Sequence, residues 1–184
     1  NDTSFIIKKI LKKENIIENK NSTQEDNKKR FFRYKLYSIE ADEMMSIMAL
    51  SKIALEKNFD PHYYQYGGSF LYPLGVYYFF LNKTNIFEYK NFQELLSDQK
   101  KIDKMYFFGR LFVLLSFIAS AYILYLTIKL VSSQNMSLKL TAIYLFVPSS
   151  IMFSQIIKPH WFSLIWINLI IYNLIKIKMD KENF

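Results

Sequence analysis

Beyond Tyr106 the sequence turns mostly apolar and carries few charges, and this change constrains the fold more than any other feature. Three segments within it read as membrane spans, at about residues 106–131, 140–157 and 161–175. The first is long enough to cross about 30 Å of hydrocarbon with some tilt. The third is short, but Lys176 and Lys178 can snorkel to lengthen it. Between the second and third stands "KPH", in which Lys158, Pro159 and His160 interrupt apolar sequence. An ionisable group at mid-bilayer costs roughly 2.5–3.5 kcal/mol even on a lenient insertion scale. Without a break there, Leu140 to Ile175 would form one helix much longer than a membrane is thick. Pro159 also biases Lys158 away from helical geometry. The expectation is a hairpin whose turn lies where lipid meets water.

Charge distribution orients this hairpin. Lys129, Lys139, Lys176, Lys178 and Lys181 fall on one side, which the excess of lysine in short loops assigns to the cytoplasm. Arg110, Lys158, His160 and the region of Asp42 then share the outer side. The formal net charge is +8, but the basic residues are scattered among Glu, Asp and Asn and no nucleic-acid module frames them. Lysine-rich flanks of a membrane protein account for the charge, and nucleic acid is not expected as a partner. Aromatic residues make up 18% of the chain, which suits amphipathic helix ends at an interface. Cysteine is absent, which excludes both a disulfide framework and a thiolate metal site.

The first half is mixed and charge-rich. Residues 1–37 are rich in Lys, Asn and Glu and read as a solvated, partly disordered lead-in. The chain begins Asn-Asp-Thr rather than Met, and "SFIIKKIL" is too short and basic for a span, so a piece of a longer chain is expected. Residues 38–105 read as an external region with interfacial helices. Its first helix covers Asp42 to Lys57, with Met44, Ile47, Met48 and Leu55 at helical spacing. Asp42 and Glu43 stand in its first turn, where carboxylates suit the helix dipole. Next, Pro61, Gly67, Gly68, Pro73 and Gly75 should break "NFDPHYYQYGGSFLYPLGVYYFF" into pieces, as a re-entrant or interfacial segment. A second surface helix is expected over "NFQELLSDQKKIDKM", started by Asn91 and Glu94 at capping-box spacing. The spans occupy 106–178, and 179–184 form a cytoplasmic tail.

Several side chains can carry chemistry. Asp42 and Glu43 are adjacent and point about 100° apart on a helix, so one proton-transfer task cannot easily be shared between them. Either they cap the methionine-rich helix, or one of them is a base at the membrane edge. Arg110 is a snorkelling anchor or a phosphate ligand, and Lys158 stands between the same two readings. His62 and His160 each follow proline and precede two aromatic residues, as polar tips at an interface do. With Asp42 and Glu43 they are also the residue types of a divalent-metal site, but sequence separation supplies no geometry. Tyr63, Tyr64, Tyr66 and Tyr72 can stack on a sugar or prenyl chain, or form an aromatic belt.

Taken in order, "ADE", "NFDPHYYQYGGSFLYPLG", "YFFGRLFVLLSFIASAYILYLTIKL" and "LFVPSSIMFSQIIKPHWFSLIWINLIIY" resemble glycosyltransferase family 39. Its relatives are the C-type membrane glycosyltransferases, including protein O-mannosyltransferases and aminoarabinose transferases. The resemblance covers about residues 38–176 and rests on the order and spacing of the motifs. It implies an all-α integral membrane enzyme, of which this chain reads as an N-terminal portion. Such an enzyme moves a sugar from a polyprenyl-phosphate carrier to an acceptor on the outer, periplasmic or lumenal face. The resemblance further implies Asp42 as catalytic base with Glu43 beside it, and Arg110 and Lys158 on the lipid phosphate. His62, Tyr66, Tyr72 and His160 would line the substrate pocket. One base and direct attack on the anomeric carbon should invert configuration. Two other classes fit the same residues: a non-enzymatic membrane subunit, and a transporter with a broken helix at "GGSFLYPLG".

Overall fold

The computed structural model describes residues 36–38, 40–56, 59–61, 63–90, 95 and 98–182, with the backbone alone at 52, 54–56 and 182. Among the described residues six helices follow one another: α1 (Ala41–Glu56), α2 (Gly68–Lys83), α3 (Gln99–Val131), α4 (Gln134–Phe146), α5 (Pro148–Ser154) and α6 (His160–Glu182). No strand occurs among the described residues.

α3 is the axis of the fold. Asp98 caps its start by accepting the Lys100 N–H, and the helix then runs unbroken for 33 residues. The boundary expected between a surface helix and a span near residue 105 does not exist. "QKKIDKM" and the apolar run share one helix, because nothing between Gln99 and Val131 breaks it. Asn91 and Glu94, the expected capping box, lie outside the described residues.

Ser133 caps α4, and its Oγ accepts the Met136 N–H. The expected second span, 140–157, begins earlier and is not straight. α4 stops at Val147, which adopts φ −60° and ψ 127°, and Pro148 starts α5 at a bend of 61°. Proline drives the preceding residue out of the helical region and is itself favoured at a first helical position. Residues 155–159 then turn the chain, so the expected break at "KPH" is present and α6 starts at His160. α6 extends to Glu182, well beyond the expected end at 175.

Ring and hydrogen-bond pairs set the helix directions. Phe112 stacks on Phe162 and Ser120 meets Asn168, so α3 and α6 run parallel. Ser120 also meets Tyr144 on α4, which runs back antiparallel. Asn168 donates to the Ser120 carbonyl and hydroxyl, at 3.2 and 3.1 Å, in an otherwise apolar interface. Small polar residues of this kind let helices approach and hydrogen-bond where water is absent. Among the described residues two helices, Gln99–Val131 and His160–Lys181, are long and apolar enough to cross a membrane, and the bent α4–α5 pair makes a third if it is one span.

α1 and α2 pack across the upper part of α3. Pro73 and Gly75 do not split α2 as expected. The helix continues through both, and the side chains of Phe70, Leu71, Leu74, Tyr78 and Leu81 are buried along it. The buried Tyr78 hydroxyl donates to the Met105 carbonyl at 2.7 Å and fastens α2 to α3. The core also begins earlier than the lead-in boundary at 37 implied: Leu36 is fully buried and its carbonyl accepts the Tyr106 hydroxyl. Residues 1–35 lie outside the described residues.

Gly109 is where these parts converge. A Cβ there would stand 2.5 Å from Ile157 Cδ1 and 2.6 Å from the Tyr78 hydroxyl. The aliphatic tip can yield, but the hydroxyl is held by Met105. Gly109→Ala is expected to destabilise by about 1–3 kcal/mol through overpacking, although alanine itself favours a helix by about 1 kcal/mol. In a Tyr78→Phe background the penalty should shrink. A double-mutant cycle of unfolding in detergent measures the difference.

Candidate functional site

The first turn of α1 sends two neighbouring carboxylates to two different places. Glu43 points inward and is only 1% exposed. Its Oε1 accepts Arg110 Nε at 2.9 Å and the Ile157 backbone N–H at 3.1 Å. Its Oε2 accepts an Arg110 Nη at 2.8 Å and the Ser38 hydroxyl at 2.7 Å. Four donors therefore saturate one carboxylate, and they come from three other segments. Burial pushes this carboxyl up, but Arg110, Ser38 and the Ile157 N–H outweigh it and the net direction is down. Both Glu43 oxygens are thus fully used, and the carboxylate holds Arg110 in place.

Arg110 is fork-on to Glu43 and its side chain is 48% exposed. A guanidinium has five donors, and the Glu43 contact uses two. The remaining face is open for an anion. Arg110 also marks a level. Between it and Lys129, 19 residues further along α3, there is no charged side chain, a length of about 28 Å at 1.5 Å per residue. That matches a hydrocarbon layer of about 30 Å.

Asp42 meets the same turn before α6 one residue further on, at Lys158. Its carboxylate lies 2.9 Å from Lys158 Nζ, and Glu40 lies 3.5 Å from the same nitrogen. Lys158 holds the Asp42 carboxyl below its usual range, against the smaller opposing effect of burial. Asp42 in turn raises Lys158. The Asp42 side chain remains 37% exposed and Lys158 15%. Tyr66 lies near Asp42, and both burial and that carboxylate raise its pKa. His160 is exposed at the start of α6, near Asp42.

An aromatic column descends from this point. Tyr63 packs edge-on to Tyr66, Tyr66 to Phe70, and Phe70 reaches Phe112 and Phe162 on the long helices. Of the expected pocket residues, Tyr66 and His160 therefore gather beside Asp42. Tyr72 does not: its hydroxyl donates to the Phe59 carbonyl and its ring lines a separate apolar cavity between α1 and α2. Tyr64 is taken by Asp60. His62 lies outside the described residues. Among the described residues, no three His, Asp or Glu side chains come together in a way that could hold a metal ion.

Sequence reading missed Glu40, Ser38 and the Ile157 N–H. Glu40 was visible, two residues before Asp42 in "EADE"; the Ile157 amide carries no sequence signal. No family model, curated protein or solved structure matches the chain.

Two outcomes follow from this geometry. Glu43→Gln keeps the shape but removes the charge. It should lower stability in detergent by about 2–3 kcal/mol, less than the about 3–5 of a fully buried broken pair because Arg110 can turn toward water. Denaturant unfolding checks this. Asp42 and Glu43 both have lowered pKa values, so their stabilisation is complete above the unfolded carboxylate range and is lost as pH falls through the folded values. The packing of α1 should hold at neutral pH and loosen only below about pH 4, read by limited proteolysis with an acid-active protease.

Proposed function

We propose that this chain is part of an integral membrane glycosyltransferase of the C type, similar to family 39. It would transfer a sugar from a polyprenyl-phosphate carrier to an acceptor hydroxyl on the non-cytoplasmic face. The observation that carries the reading is the Asp42–Lys158 contact. A part-exposed carboxylate and a cation, far apart in the chain, meet at 2.9 Å where α3 and α6 begin their apolar runs. Arg110 stands close by in the chain's fold, held by Glu43 next to Asp42.

In this reading α3, α6 and the bent α4–α5 pair span the bilayer, with the lysine-rich ends in the cytoplasm. Asp42, ionised at neutral pH, accepts the proton of the acceptor hydroxyl. The freed oxygen attacks the anomeric carbon from the side opposite the phosphate, and configuration inverts. The bond from carbon to phosphate oxygen breaks, and its electron pair leaves on polyprenyl phosphate. Lys158 exchanges Asp42 for that phosphate as the donor arrives, and the open face of Arg110 adds charge-assisted hydrogen bonds. Such stabilisation strengthens where lipid excludes water. General-base catalysis of this kind contributes about 10²–10⁴-fold. Tyr66 stands beside the base, and the aromatic column offers faces for sugar or prenyl.

A second reading has one observation in its favour: Asp42, Glu43, Arg110 and Lys158 all have protein partners. In a non-enzymatic membrane subunit the same contacts would simply latch α1 to the helix ends.

The two readings separate experimentally in the full-length protein in membranes. Asp42→Asn should abolish transfer of a radiolabelled sugar from polyprenyl phosphate while insertion and folding persist, because an ion pair this exposed is worth about 0–1 kcal/mol. Lys158→Ala should weaken binding of polyprenyl phosphate. Unchanged turnover in Asp42→Asn removes it from the mechanism. If both variants lower the melting temperature alike, and the double variant no further, the contact is a latch.

A further inference from the structure

We propose that the cavity between α1 and α2 seats one acyl chain of a bilayer phospholipid, distinct from the lipid of the reaction. The cavity holds about 920 Å³, at the upper end of the roughly 300–1,000 Å³ typical of small-molecule sites. Ile47, Leu50 and Ile53 form one wall and Gly75, Val76 and Phe79 the other. The polar tips on these two walls are already satisfied: Tyr72 donates to the Phe59 carbonyl, and Tyr78 to the Met105 carbonyl, while Tyr89 and Lys90 reach the lining from the segment after α2. These two walls therefore ask for apolar surface and no hydrogen bond. An apolar space of this size attracts a hydrocarbon more readily than water.

The mouth identifies the source of the chain. Val76 and Phe79 line the cavity and are also 52% and 57% exposed. With Tyr72 and Phe80 they form an exposed apolar stripe at i, i+4, i+7 and i+8 on α2, opposite the buried Phe70, Leu71, Leu74 and Tyr78, of the kind that marks a contact with a membrane or a protein. α2 crosses α3 between Met105 and Phe112, the level where Arg110 ends the charge-free run. The stripe and the mouth therefore face the boundary of the lipid layer, where acyl chains are the abundant apolar partner.

The chemistry takes place elsewhere. Asp42, Lys158, Tyr66 and His160 do not line the cavity. Ile53 lies 11 residues beyond Asp42, about 16 Å along α1. A seated chain would fill the gap between α1 and α2 and hold the helix that carries Asp42 against the membrane. Gly75 contributes by admitting Leu50: a Cβ there would stand 3.2 Å from Leu50 Cδ2.

The test is native mass spectrometry of the full chain released from phospholipid nanodiscs, with lipid extraction to identify what remains bound. Wild type should retain one phospholipid, and Val76→Trp, which plugs the mouth from an exposed position, should lose it. Ile53→Trp should lose it too, with helical circular dichroism confirming that both variants fold. A second measurement uses the absence of cysteine: an environment-sensitive label on Val76→Cys should be quenched by phospholipid brominated on its acyl chains. Retention of lipid by both tryptophan variants, recovery of polyprenyl phosphate in place of phospholipid, or an unquenched label would each overturn the proposal.

Discussion

The arrangement depends on one buried carboxylate. Glu43 gathers Arg110 from α3, the Ile157 amide from the turn before α6, and Ser38 from the segment before α1. A charge removed from water costs several kcal/mol unless nearly every lone pair is used. Glu43 meets that condition with four donors, one of them a cation in fork geometry. The partners lie 67 and 114 residues away, so the contact closes large loops and sets where α1 sits on the long helices.

Because Asp42 is the residue next to Glu43, fixing one fixes the other. Adjacent helical residues differ by about 100° in direction. With Glu43 committed inward to Arg110, Asp42 is left facing the "KPH" turn, where Lys158 meets it. A buried pair and a part-exposed pair are thus built from consecutive residues. The same first turn would give the proposed base both rigidity and exposure.

Legibility from sequence followed the range of the interactions involved. The break at "KPH" could be read because a lysine and a proline inside apolar sequence are unfavourable in any continuous span. The bend at Val147–Pro148 carried an equally local signal, yet it fell within a stretch read as one span. The continuity of α3 across residue 105 was hidden by the change from charged to apolar composition, which alters the solvent but not the backbone preference. Pro73 and Gly75 misled in the opposite direction, since packing of α2 against α3 outweighs their weak helix propensity. Asp42, Arg110 and Lys158 were recognisable as candidates by type. That Glu43 would be saturated and Tyr72 turned away was not.

By itself the sequence determined that the second half would form apolar helices with charges at their ends, because the cost of placing charge in hydrocarbon depends on the residue alone. It also determined a helix start with two acids. Only the tertiary structure decided which acid is buried, which cation each one meets, and that a cavity opens beside α2 rather than beside Asp42. Those outcomes depend on the rotation of α1 about its axis relative to α3 and the turn at 155–159, and no local preference encodes that angle.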